Sequence, residues 1–73
     1  MLQKRSLSLA SHRTSLALEP EFWSALEEIS RRRGTSLAAL IAEIDQSRDE
    51  TGGLAQAVRV YALGWYRANR GNE

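Results

Sequence analysis

Lys4, Arg5 and Arg13 are the only charged side chains in residues 1–18, and all three are cations. The remaining residues carry seven bases against nine acids, a net −2, which brings the chain to +1. A basic segment on a mildly acidic body points to an anionic partner, although a solvated tail gives the same pattern. Groups for catalysis are scarcer. The chain has no cysteine, no Gly-rich phosphate loop and a single histidine, His12. One histidine without cysteine is poor material for a metal site. Glu27-Glu28 and Asp49-Glu50 are adjacent pairs, which project in two directions and read as solvated charge. Nothing brings one of the many serines beside a base and an acid. The expectation is a protein that is not an enzyme and that uses no cofactor and no metal.

The elements that must carry the cations come next. Thr14, Leu16 and Leu18 alternate with Arg13, Ser15 and Ala17, the period of a strand with one buried face. The strand covers about Arg13 to Leu18. Ser6 to Ala10 alternates too, but Ala10-Ser11-His12 lacks the Gly or Asn that short hairpin loops favour. Residues 1–11 are therefore read as an N-terminal arm that extends the sheet at most. Pro20 suits the first position of a helix running to Arg33, with Glu19 and Glu21 at its positive end. Arg31, Arg32 and Arg33 suit its negative end and are read as dipole compensation rather than as a basic patch. Phe22, Ala25, Leu26 and Ile29 form its apolar stripe, and Gly34 closes it.

A second helix opens at Thr35-Ser36, with Ser36 as the favoured cap and Leu37, Leu40, Ile41 and Ile44 as its stripe. Ser47 to Gly53 is a polar, Gly-rich loop. A third helix spans about 54–68, with Leu54, Ala57, Val58, Tyr61 and Trp65 on one face and Val60 and Leu63 widening it. Its aromatic surface either covers a core or docks another protein; core cover is favoured. The domain expectation is one unit over 1–73: arm 1–11, core 12–47 and C-terminal helix 54–68. No run of residues is long and apolar enough for a membrane span, so a soluble intracellular protein is expected.

A chain of 73 residues buries little, and without disulfides or metal the routes to stability are oligomerisation or an unusually well-packed helical core. A lone strand adds its own demand. Its edge groups cost about 1–3 kcal/mol each if buried without partners. A second copy related by a two-fold axis can supply them, and that symmetry is the commonest among oligomers. Leu16 and Leu18 would then sit on the helices, with Arg13, Ser15 and Ala17 facing outward together.

The stretch RTSLALEPEFWSALEEISRRRGTSLAALI resembles a ribbon-helix-helix domain of the Arc and MetJ type. The matching features are a short alternating strand, an acidic and proline start to the first helix, a Gly that closes it and a Gly-x-Ser step into the second. The resemblance covers residues 12 to about 47. With HRTS ahead of EPEFW and with LAQAVRVYAL, the longer string is similar to a bacterial subgroup of small stand-alone members. The implied fold is mainly α with one short strand: an intertwined homodimer whose two strands form an antiparallel intermolecular ribbon, plus an additional C-terminal helix. Leu16, Leu18, Phe22, Leu26, Ile29, Leu37, Leu40, Ile41 and Ile44 would form the dimer core.

The resemblance also implies roles. The ribbon enters the DNA major groove, a docking mode known for strands. Arg13, Ser15 and Ala17 occupy the base-reading positions: an arginine can pair with guanine, a serine with several bases, and a methyl only with thymine. The family usually has polar residues at all three positions, so Ala17 is a departure. Thr35, Ser36 and Leu37 stand where backbone amides clamp a phosphate, and Lys4 and Arg5 would add phosphate contacts from the arm. The implied protein is a cytoplasmic transcriptional repressor bound to double-stranded DNA as a homodimer, with a tetramer open if the third helix pairs dimers. The alternative is a non-catalytic dimeric interaction module, or an antitoxin-like component, that binds a protein through the third helix at Tyr61 and Trp65.

Overall fold

Two strands, not one, precede the helices. In the computed structural model, which describes residues 1–10, 12–48 and 52–70, β1 (Gln3–Ser8) runs antiparallel to β2 (Arg13–Leu18). Gln3 faces Leu18, Arg5 faces Leu16, and Ser8 faces Arg13. Leu9 N–H donates to His12 O at 2.8 Å and carries the same register to the turn. The expectation of one strand, with the first eleven residues as an arm, is corrected: residues 3–8 supply β2 with a partner from its own chain.

The physical reason lies on the inner face. Leu7 and Leu9 are buried beside Leu16 and Leu18, so the short alternation noticed at Ser6 to Ala10 is the end of a longer one. Its continuation was hidden because the next inward position is Arg5. That side chain lies 4.5 Å over the Trp23 ring and donates to Glu27 at 2.9 Å. A long cationic side chain can cover apolar surface with its stem while its head finds an acid. Trp23 Nε1–H donates in turn to Gln3 O at 2.8 Å, which ties the strand's first residue to the first helix.

Three helices follow: α1 (Pro20–Arg33), α2 (Leu37–Ser47) and α3 (Leu54–Asn69). Pro20 opens α1, and Gly34 closes it at φ 71°, a left-handed conformation that only glycine adopts without cost. Thr35 N–H donates to Ser30 O and Gly34 N–H to Arg31 O, which uses the last carbonyls of α1. Ser36 caps α2, its Oγ accepting from Ala39 N–H at 3.0 Å. The loop expected over Ser47 to Gly53 falls partly outside the described residues.

A single apolar cluster joins the layers. It holds Leu16, Leu18, Trp23, Leu26, Ile29, Leu40, Ile41, Ile44, Val58 and Ala62, with Leu7 and Leu9 from the added strand. Seven of the nine residues expected in a dimer core are buried within one chain; Phe22 and Leu37 are only half-buried. On α1 the stripe is rotated from the expected one. Trp23 is 1 % exposed, whereas Phe22 and Ala25 keep an open side. The indole wins because Arg5 of β1 lies over it and its N–H has a carbonyl partner in Gln3. On α3, Val58 and Ala62 are buried, and Tyr61 and Trp65 cover the edge of the core. Arg59 donates through Nε and Nη2 to one Glu19 oxygen at 3.0 and 2.9 Å, clamping the start of α1 to α3.

Candidate nucleic-acid interface

The hairpin has two faces of different character. Arg5, Leu7, Thr14, Leu16 and Leu18 point toward the helices. Lys4, Ser6 and Ser8 of β1 share the opposite face with Arg13, Ser15 and Ala17 of β2. The cross-strand pairs there are Lys4 with Ala17, Ser6 with Ser15, and Ser8 with Arg13. All but the half-exposed Ala17 are exposed. The face therefore carries two cations at diagonal corners, three hydroxyls, a methyl and no carboxylate. The two cations stand four residues apart along the strands, or about 13 Å.

This places the expected residues individually. Arg13, Ser15 and Ala17 lie together on the outer face, and Lys4 joins them from a strand rather than from a loose arm. Arg5 does not. It is turned inward, half-exposed, with its charge matched by Glu27, on the opposite face of the sheet from Lys4. Ser6 and Ser8 were missed. Their signal was present as the polar half of the alternation, but it has meaning only once β1 is known to pair with β2.

The start of α2 lies beside the turn end of the hairpin. Ser8, Leu9 and Ala10 on one side and Ser36, Ala38 and Ala39 on the other line a shared groove. Free amides at a helix start, reinforced by the dipole, can hold an anion. Not every expected amide is free. Thr35 N–H is used on Ser30 O, and Ala39 N–H on the Ser36 hydroxyl. The helical ladder begins with Leu40 N–H to Ser36 O at 3.0 Å. The first-turn amides left outside it are those of Leu37 and Ala38. Thr35 can offer its hydroxyl but not its N–H.

The helical side offers little to a reaction. Tyr66 O–H donates to Glu28 at 2.6 Å, and burial, then this hydrogen bond, pushes its pKa up to about 12. A phenol held protonated in that way is a structural donor. The Glu19 carboxyl sits below its usual range, first through a backbone hydrogen bond and then through Arg59. Among the described residues no cluster of three or more potential metal ligands occurs, and no helix is long and apolar enough to cross a membrane. Tyr61 and Trp65 are half-buried. The Tyr61 oxygen accepts from Arg33 at 2.9 Å, and Trp65 stacks edge-on with Tyr66 under Arg32. Val60 and Leu63, expected to widen the packed face, are instead the exposed large apolar residues of α3, because they lie on the side turned from Val58 and Ala62.

A family model described as a ribbon-helix-helix domain matches residues 2–66. The match takes in β1 and most of α3, beyond the residues 12 to about 47 that carry the core of the sequence resemblance. No curated protein and no solved structure gives a significant match. Domains of the matched kind are generally found in DNA-binding transcription regulators and are typically non-catalytic.

Proposed function

The chain belongs to the ribbon-helix-helix family, and from that premise we propose that it is a bacterial, cytoplasmic transcriptional repressor that binds double-stranded DNA as a homodimer through the outer face of its hairpin. The observation that carries the reading is the chemistry of that face: Lys4, Arg13 and three serine hydroxyls with no carboxylate among them. Cations and hydroxyls are the groups that contact phosphates and base edges.

The free edge of β2 supports the dimer. The sheet has two strands, so among the described residues β2 has no strand neighbour on its other side. In an antiparallel ladder, residues alternate between facing the partner strand and facing away. The Leu9 to His12 bond sets the phase, which turns the backbone groups of Thr14, Leu16 and Leu18 toward β1. Those of Arg13, Ser15 and Ala17 are then presented at the open edge, a ready template for a second copy of the strand. Pairing two copies there gives the order β1-β2-β2-β1. Strands about 4.8 Å apart put the two outer strands about 14 Å from each other. The major groove is about 12 Å wide, so the central pair fits inside it and the outer strands ride on its walls.

Roles follow from those positions. Arg13 and Ser15 read base edges, and the Ala17 methyl touches thymine or nothing. Lys4, with Ser6 and Ser8 on the outer strand, contacts phosphates. The Leu37 amide and the Ser36 and Thr35 hydroxyls receive a further phosphate at the start of α2. Two reading side chains per copy imply modest sequence discrimination.

A gel-shift titration with fragments of the source genome, across a range of salt concentrations, tests the proposal. The expected result is binding that weakens steadily as salt rises, with the slope set by the number of phosphates neutralised. No binding at low salt would remove the repressor reading. Ala17→Pro, which deletes an N–H at the open edge, is expected to abolish DNA binding and to halve the mass of the ribbon-paired assembly. An unchanged mass would remove pairing at that edge.

A further inference from the structure

One surface is left unexplained by a DNA-binding ribbon. Val60 and Leu63 are 62 % and 59 % exposed, on the face of α3 turned away from the core. Gly64 lies beside them on the same face, in the middle of a 16-residue helix. A Cβ at Gly64 would meet nothing within 4 Å, so no contact inside the chain requires a glycine there. Glycine in a helix interior is unfavourable relative to alanine. Phe22 and Ala25 of α1 continue the apolar surface, and with Val60, Ala62 and Leu63 they line an open groove of about 390 Å³ edged by Glu21, Arg59 and Tyr66.

We infer that this face pairs with the same face of a second copy, the two α3 helices crossing antiparallel at Leu63 and Gly64. A glycine on a helix surface lets another helix approach closely and leaves a hole for a side chain. Under a two-fold axis between positions 63 and 64, Leu63 of each copy fills the gap at Gly64 of the other. The charges fit the same arrangement. Glu19 meets Arg59 and Glu28 meets Tyr66, so α1 and α3 run side by side in the same direction. Glu21 therefore lies at the Val60 end of the groove, while Arg67 lies two turns further along the exposed face. Neither has an ion pair among the described residues. An antiparallel crossing sets Arg67 of one copy over Val60 of the other, within reach of its Glu21, and does so twice. A parallel crossing would bring like charges together at each end.

The contact uses neither the outer ribbon face nor the open edge of β2. With ribbon pairing it joins two dimers into a tetramer; without ribbon pairing it makes a dimer.

Sedimentation equilibrium of the full chain over a wide concentration range tests the inference. Leu63→Glu is expected to halve the mass at every concentration where the parent is assembled. Gly64→Ala is expected to weaken assembly while thermal stability of the dilute chain stays level or rises, since alanine favours the helix and fills only the intermolecular gap. Glu21→Arg and Arg67→Glu are each expected to weaken assembly several-fold, and the two together to restore it. The same mass for the parent and Leu63→Glu throughout, or a double charge exchange that stays as weak as the singles, would overturn it.

Discussion

Arg5 and Arg13 sit on opposite faces of one two-stranded sheet and behave as different residues. Arg5 is laid over Trp23 and held by Glu27, so its charge is matched at home. Arg13 is exposed on a face with no carboxylate, and among the described residues it has no ion pair. The difference teaches that a cation counted in the sequence is not a cation offered to a partner; the side of the sheet decides. The inner face is an anchor built of Leu7, Leu16, Leu18 and the stacked arginine. The outer face presents exposed cations and hydroxyls with no carboxylate among them.

The contrast breaks most severely at Trp23. Trp23→Ala removes a fully buried indole together with its bond to Gln3 O and the surface under Arg5. The expected loss is about 3–5 kcal/mol in urea unfolding, enough to release the hairpin and both its faces. A loss below about 1 kcal/mol would show that the sheet is held without the anchor.

Arg13→Ala is expected to do the reverse, leaving unfolding within about 0.5 kcal/mol of the parent. Base preference should relax by about 1–3 kcal/mol at one position of the bound site, measured by competition with single-base variants. An unchanged sequence profile would remove Arg13 from the reading set.

Lys4 and Arg5 sharpen the comparison because they are chain neighbours with opposite facings. Lys4→Ala should reduce the slope of log binding against log salt by about 0.9 for each copy, about 1.8 for the dimer, with no change in unfolding. Arg5→Ala should leave that slope alone and lower stability by about 1 kcal/mol, through the lost ring contact and a half-exposed ion pair. Equal effects from the two would mean that the faces are not distinct.

The smallest effect is expected away from the ribbon. Tyr66 has its pKa raised to about 12, first by burial and then by Glu28. A folded pKa above the unfolded value near 10 gives stability that is complete below pH 10 and lost as pH rises toward 12. The thermal midpoint should therefore fall over that range in the parent and stay flatter in Tyr66→Phe.

Much of the helical part was legible in residues alone. Pro20 and Gly34 mark the two ends of α1, and Ser36 caps α2, because these signals act within a few residues of where they stand. The outward set Arg13, Ser15 and Ala17 was legible for the same reason: alternation fixes which residues share a face. What failed was the pairing of that strand. Ala10-Ser11-His12 offers no turn residue of the favoured kind, and Arg5 breaks the apolar pattern, so the arm looked unpaired. Six facing pairs and the Trp23 anchor outweigh both objections, and neither is visible one residue at a time. The stripe on α1 slipped by one position for a related reason. Periodicity cannot choose between Phe22 and Trp23 until a sheet covers one of them.

The sequence by itself determined the bounds of β2, α1 and α2, the excess of cations before residue 19 and the two-fold periodicity of β2, since each depends on local geometry and chain order. Only the tertiary structure decided which strand β2 meets, which arginine is anchored and which is offered, and that Val60, Leu63 and Gly64 share an uncovered face. Those outcomes depend on which surfaces meet across the chain, and contact between distant residues is written in no single segment.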